Sequence, residues 1–164
     1  MSTILRLQDF PLNEIQTLLN RYGLTLQIIP NNTTIPGSYW QAEEAGIIGL
    51  MVYARLDTPL HSILHEACHT ICMDQIRRDN LHTDAGGETD EEDAVCYLQI
   101  ILAQQLTHMG KQRMLQDMDN WGYSFRLGSA QAWFENDAED AQVWLREHQL
   151  LTHDSQPIYQ LRPE

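Results

Sequence analysis

Two histidines four residues apart, with a glutamate beside the first, constrain this chain more than any other feature: His65-Glu66-Ala67-Cys68-His69. On an α-helix, side chains at i and i+4 share one face about 6 Å apart, so both imidazoles can reach a single cation at roughly 2.0–2.1 Å. In that arrangement Glu66 faces a water on the same ion, which is where a general base belongs. The pattern therefore calls for a helix, and that helix needs neighbours. Leu60, Ile63, Leu64, Ala67, Cys68 and Ile71 form an apolar stripe, and His61, His65 and His69 form a second stripe beside it. A helix with one apolar and one histidine-lined face is buried on both. Thr58 reads as its N-cap, Pro59 as its first helical residue, and it is expected to run to about Arg78.

The remaining periodicities surround this helix with a mixture of elements. Leu12, Ile15, Leu18 and Leu19 predict an amphipathic helix over 11–22, stopped at Gly23. Residues 24–29 read as a short strand, 30–37 as turn formers, Ser38-Tyr39-Trp40 as the start of a second strand, and 47–54 as another strand. A loop over 80–90 leads to a helix over 91–108, with Ala94, Val95, Leu98, Ile101 and Leu102 on one face and Gly110 at its end. Further helices are expected over 112–120 and 129–148, the latter broken near Asn136-Asp137, with the residues from Leu150 loosely held. Trp121, Trp133, Phe134 and Trp144 read as the core of these C-terminal helices. The expected class is α+β: a small mixed or antiparallel sheet of about three strands packed on the histidine helix and on a glutamate-bearing helix. One domain over 1–164 is expected, with its core at about 11–108 and a helical extension at about 111–149.

Composition narrows the partners. The formal net charge is −13, with only ten Lys and Arg, which disfavours nucleic acid and anionic membrane and favours a cationic or neutral partner. No apolar run is long enough to span a bilayer, and residues 1–10 lack the layout of a signal peptide, so a cytoplasmic protein is expected. Cys68, Cys72 and Cys96 are odd in number and lie within helical patterns, which points to buried thiols rather than a disulfide framework.

A catalytic zinc site takes three protein ligands and leaves one position for water. His61 shares the helix face but lies about 12 Å along the axis from His69, too far to meet the same ion, so it is left to a supporting bond or to the core. The remaining candidates are His82, Asp84 and the acidic run Glu88, Asp90, Glu91, Glu92 and Asp93. Glu91 continues the apolar stripe of its helix, with Ala94, Val95 and Leu98 at i+3, i+4 and i+7, and an inward carboxylate needs a partner. Glu91 is therefore the preferred third ligand, and Glu92, about 100° round the helix, is the alternative. Asp90 and Asp93 read as solvated groups at a helix N-terminus.

This set of residues resembles the zincin metallopeptidases, in particular the gluzincin branch, where a His-Glu-x-x-His helix is followed by a glutamate ligand on the next helix, often with alanine three residues on, as Ala94 follows Glu91. The order of elements over about 11–106 is similar to that of the ImmA/IrrE-type bacterial metallopeptidases. The chain departs from the pattern at Cys68, where the family has glycine, and nothing in it marks the glutamate helix's end with proline. The resemblance implies a zincin-like fold, Zn2+ held by His65, His69 and Glu91, and Glu66 activating water against a peptide carbonyl. It also implies a peptide-binding edge strand ending near Ala54. A donor for the oxyanion is sought among Tyr123, which is preferred, Arg126, His61 and Tyr97. The expected activity is zinc-dependent hydrolysis of a peptide or protein substrate, with narrow specificity. The competing expectation is a non-catalytic, zinc-stabilised module that docks a protein partner.

Overall fold

The structure, a computed structural model, describes residues 4–38, 42–81 and 87–163. Among these residues the chain forms seven α-helices and one three-stranded mixed sheet, an α+β architecture. The order is α1 (Leu12–Arg21), β1 (Thr25–Ile28), β2 (Gly46–Ile48), β3 (Met51–Ala54), α2 (Leu60–Cys72), α3 (Gln75–Asp79), α4 (Thr89–Ala103), α5 (Gly110–Trp121), α6 (Ala130–Asn136) and α7 (Glu139–Glu147).

The sheet is ordered β1-β3-β2, with β1 parallel to β3 and β2 antiparallel to it. The single strand expected over 47–54 is instead a tight hairpin, because Gly49 takes a positive φ of 58° and Gly49-Leu50 turn the chain between β2 and β3. β3 is consequently the central strand. The strand ending at Ala54 is paired on both sides and has no edge to offer a peptide. The outer side of β2 is itself met by Gly37, whose carbonyl accepts from Ile47 N at 3.2 Å. Ser38 belongs to no strand, and the rest of the strand expected there lies outside the described residues.

α2 is the axis of the molecule. Leu60, Ile63, Leu64 and Ile71 are fully buried. Burial of each such side chain contributes about 1.5–3 kcal/mol, so Ile63→Ala alone should cost roughly 2–5 kcal/mol. One side of α2 packs on β2 and β3 and the other on α4. Its N-terminus starts one residue later than expected: Pro59 stands at the N-cap, and the Thr58 hydroxyl accepts from Arg55 N at 2.9 Å instead of capping the helix. Its C-terminus stops at Cys72, short of Arg78, and the buried carbonyls left there find guanidinium partners. Arg78 Nε donates to Thr70 O at 3.0 Å and Arg78 Nη2 to Met73 O at 2.6 Å. Arg162 supplies its backbone N to Ile71 O at 2.9 Å and its Nη1 to Cys72 O at 3.3 Å.

Those last contacts correct the expectation of a loose C-terminus. Leu150 and Leu151 are buried, Leu151 forms an antiparallel bridge with Pro157, and the tail runs back to the end of α2. α7 packs against α4, which lies between α2 and the C-terminal helices and is buried at every position over 94–103. The helix expected over 91–108 ends at Ala103, and Gly110 opens α5 rather than closing α4. No helix among the described residues is long and apolar enough to cross a membrane.

Candidate metal centre

α2 and α4 lie side by side, and this brings the middle of α2 against the first turn of α4. His65 and His69 project from α2 with ring centroids 4.7 Å apart and planes at 88°. Glu92 reaches them from α4: its Oε1 is 3.3 Å from His65 Nε2 and its Oε2 is 3.3 Å from His69 Nε2. One ligand atom from each of the three lies within 4.8 Å of the others. Ligands about 2.0–2.2 Å from one tetrahedral ion stand roughly 3.3–3.6 Å apart, so this donor set of two imidazoles and one carboxylate fits a divalent transition metal. Burial works against the Glu92 charge, but hydrogen bonds from His65 and His69 outweigh it and hold the carboxyl well below its ordinary range.

Glu91 goes elsewhere. It is inward-facing and buried, as its stripe predicts, but its carboxylate meets arginines rather than the histidine pair. Arg77 Nη1 donates to Glu91 Oε1 at 3.0 Å and Arg77 Nη2 to Oε2, a bidentate pair, and Arg162 Nη1 lies 3.6 Å from Oε1. Gly87 closes this side of α4. A Cβ there would run into the Glu91 carboxylate, and its φ of +103° suits glycine alone. Glu91 and Glu92 thus separate to two faces of α4. The cationic partners that Glu91 requires come from α3 and the C-terminal tail, two elements far apart in sequence. His82 and Asp84 lie outside the described residues.

A buried polar network braces the histidine pair. Gln99 is fully buried, and its Oε1 lies 2.9 Å from His65 Nδ1. An amide oxygen can only accept, so Nδ1 donates to it and Nε2 is the ring nitrogen turned toward Glu92, the atom that would bind an ion once its proton is displaced. The Gln99 amide nitrogen donates to His61 O at 3.0 Å and to the Tyr123 hydroxyl at 3.3 Å. His61 Nδ1 lies 3.1 Å from the same hydroxyl. Burial and the neighbouring His65 and Arg6 push the His61 pKa down to about 3, so it is a neutral core histidine, outside the metal site. Gln99 is not among the candidates that the sequence motif singles out, although it sits at i+7 from Glu92 and i+3 from Cys96 on the α4 stripe that faces α2. His69 Nδ1 is buried with no hydrogen-bond partner among the described residues.

Glu66 stands in the same cleft, a cavity of about 390 Å³ lined also by Glu44, His65, Glu92, Asp93, Trp121 and Phe125. It is 8% exposed, and burial raises its carboxyl pKa, with the two histidines opposing and Glu92 adding to the rise. Glu44 is raised chiefly by burial and then by Glu66, while Ser62 and Trp121 hydrogen-bond its carboxylate. Of the residues considered as oxyanion donors, Tyr123 lines the cleft, but its hydroxyl is engaged with His61 and Gln99. Tyr97 stacks on Phe134 at 4.6 Å, and Arg126 is exposed and paired with Asp137 at 2.7 Å. Gly122, with φ +109°, ends α5 in a left-handed cap and turns the chain so that Trp121 and Tyr123 both reach the cleft. Trp133 is buried among the C-terminal helices, as expected, and Trp121 is instead a wall of the site.

Comparisons with known protein families, with characterised proteins and with solved structures find no match to this chain.

Proposed function

We propose that this chain is a zinc-dependent peptidase of zincin-like design. Its ligands are His65, His69 and Glu92, and Glu66 is its general base. The observation that carries this reading is the convergence of Glu92 on both Nε2 atoms at 3.3 Å, in a cleft that also holds the buried Glu66 carboxylate. A site serving only the fold has four protein ligands and no use for a free carboxylate at an open position. Zinc held there supplies a Lewis acid that acidifies water and polarises a carbonyl.

The residues themselves divide the remaining work. Gln99 fixes the tautomer and orientation of His65. Glu66 takes a proton from the attacking water as the carbon–oxygen bond forms, and returns it to the amine nitrogen as the carbon–nitrogen bond breaks. Trp121, Tyr123 and Phe125 line the cleft with aromatic surface against which an extended substrate can pack.

The test is metal content together with hydrolysis. Purified protein should hold about one zinc per chain, and Glu66→Gln should keep the zinc while lowering cleavage of a peptide library at least about 100-fold. Full zinc with no hydrolysis by the unmodified chain would instead favour the zinc-stabilised docking module. Full metal occupancy after His65→Ala and His69→Ala together would remove both readings.

A further inference from the structure

The charge on the cleft walls exceeds what the proposed ion can neutralise. Four carboxylates line the cavity, those of Glu44, Glu66, Glu92 and Asp93, and no Lys or Arg among the described residues lines it. A divalent ion held by two neutral imidazoles is balanced by Glu92 and Glu66. Glu44 and Asp93 then remain as negative charges in a partly enclosed space, where Coulomb interactions are stronger than in open water. Two guanidinium groups border the cavity without lining it. Arg6 Nη1 donates to Asp57 O at 2.7 Å and lies 3.7 Å from Glu43, with its guanidinium 5.9 Å from the Trp121 ring centre, and Arg126 pairs with Asp137 at 2.7 Å while its charge also reaches Asp93, so Glu44 is the wall carboxylate least offset.

Two further observations show that the cavity is shaped for a ligand rather than being a stretch of solvated acidic surface. Glu66, 8% exposed, projects into it with no side-chain hydrogen bond to any described residue. The cavity is also lined by aromatic rings: Tyr123 and Phe125 are stacked with centroids 6.2 Å apart, and Trp121 joins them in the lining. Aromatic faces attract cations, and about 390 Å³ accommodates one or two amino-acid side chains. From the acidic walls, the aromatic lining and the partly enclosed volume we infer that the cleft selects peptides with a basic side chain, Arg or Lys, close to the bond that is cut. This deepens the peptidase reading and rests on it for the chemistry, but recognition of the basic side chain is measurable by itself.

The experiment is binding of three blocked pentapeptides, acetyl-Ala-Ala-Xaa-Ala-Ala-amide with Xaa arginine, citrulline or glutamate, to the full chain, both zinc-loaded and metal-free, by calorimetry. Citrulline keeps the shape of arginine and removes its charge. The arginine peptide should bind about tenfold more tightly than the citrulline peptide, and the glutamate peptide most weakly. The preference should shrink to within about twofold in the Glu44→Gln, Asp93→Asn double variant, which should keep its zinc. It should persist in Glu139→Gln, Asp140→Asn, which removes the same charge from the exposed start of α7 and so controls for the net charge of the chain. If the wall double variant does not fold, Asp93→Asn alone should still lower the ratio. Equal affinity for arginine and citrulline, no measurable binding of any peptide, or equal loss in the α7 variant would each overturn the inference. Product analysis of the same zinc-loaded mixtures separates the two claims. Hydrolysis blind to side-chain charge sinks the specificity and leaves the peptidase, whereas arginine preference without hydrolysis does the reverse.

Discussion

Glu91 and Glu92 are neighbours in sequence and belong to two different regions of the molecule. Glu91 is 5% exposed and lies in an ion cluster built by α3 and the C-terminal tail, whereas Glu92 is half exposed at the mouth of a cleft and faces two histidines of α2. The more deeply buried carboxylate has the structural role, and the less buried one joins the group that can hold a metal. Inwardness alone therefore does not identify a ligand. An inward carboxylate requires some partner, and two arginines satisfy that requirement as well as an ion does.

The sharpest way to break this comparison is to exchange the roles. Glu92→Ala should lower zinc affinity by more than the roughly 100-fold that loss of a supporting partner can cost, while Glu91→Ala should leave one zinc per chain. If metal titration instead shows Glu91→Ala to be the damaging change, Glu91 and not Glu92 is the third ligand. Stability should report the reverse. Breaking a fully buried pair costs roughly 3–5 kcal/mol, and because the Arg77 side chain is 32% exposed, Glu91→Ala should cost about 2 kcal/mol in urea melts of the metal-free chain. Adding Arg77→Ala to Glu91→Ala should cost clearly less than the sum of the two single changes, since the pair acts as a unit.

The support behind each glutamate gives smaller effects. Gln99→Leu preserves volume but removes the acceptor at His65 Nδ1, and should weaken zinc binding by about tenfold, with Gln99→Glu restoring much of it. Equal zinc affinity in Gln99→Leu would mean that His65 needs no such brace. On the Glu91 side, Asp74 caps α3, the helix that carries Arg77, by accepting from Arg77 N at 2.9 Å. That bond, followed by the Arg77 charge, lowers the Asp74 carboxyl below its ordinary value of about 3.9. A lowered folded-state value means stability that is present above the unfolded value and lost as pH falls through the folded one. Asp74→Ala should therefore cost about 1 kcal/mol near neutrality, and the gap between variant and parent should close below about pH 4. A gap that stays constant down to about pH 2 would contradict the cap.

Much of the arrangement is legible in the sequence because it rests on local periodicity. The stripe of α2 predicts its burial on two sides, and the i, i+4 spacing predicts that His65 and His69 share a face, as they do at 4.7 Å. The exclusion of His61 follows from helix rise, whereas its bond to Tyr123 is a contact that only the fold supplies. Which of the two glutamates meets the histidine pair is not legible. α4 is buried all round over 94–103, so its apolar pattern contains both the Glu91 stripe and the Glu92, Cys96, Gln99 stripe, and periodicity cannot rank two buried faces. The hairpin at Gly49-Leu50 is hidden for a related reason: a short apolar run reads as one strand unless a turn residue's positive φ is known.

The sequence by itself determined the α2 pattern, the pairing of His65 with His69 and the presence of Glu66 beside them, because a helix places residues four apart by its own hydrogen bonding. Which glutamate meets that pair was decided only by tertiary structure. Arg77 and Arg162 reach Glu91 from α3 and from the C-terminal tail, and their bonds settle which face of α4 is turned toward α2. Contacts between elements so far apart follow from the packing of the whole chain, and no local pattern encodes them.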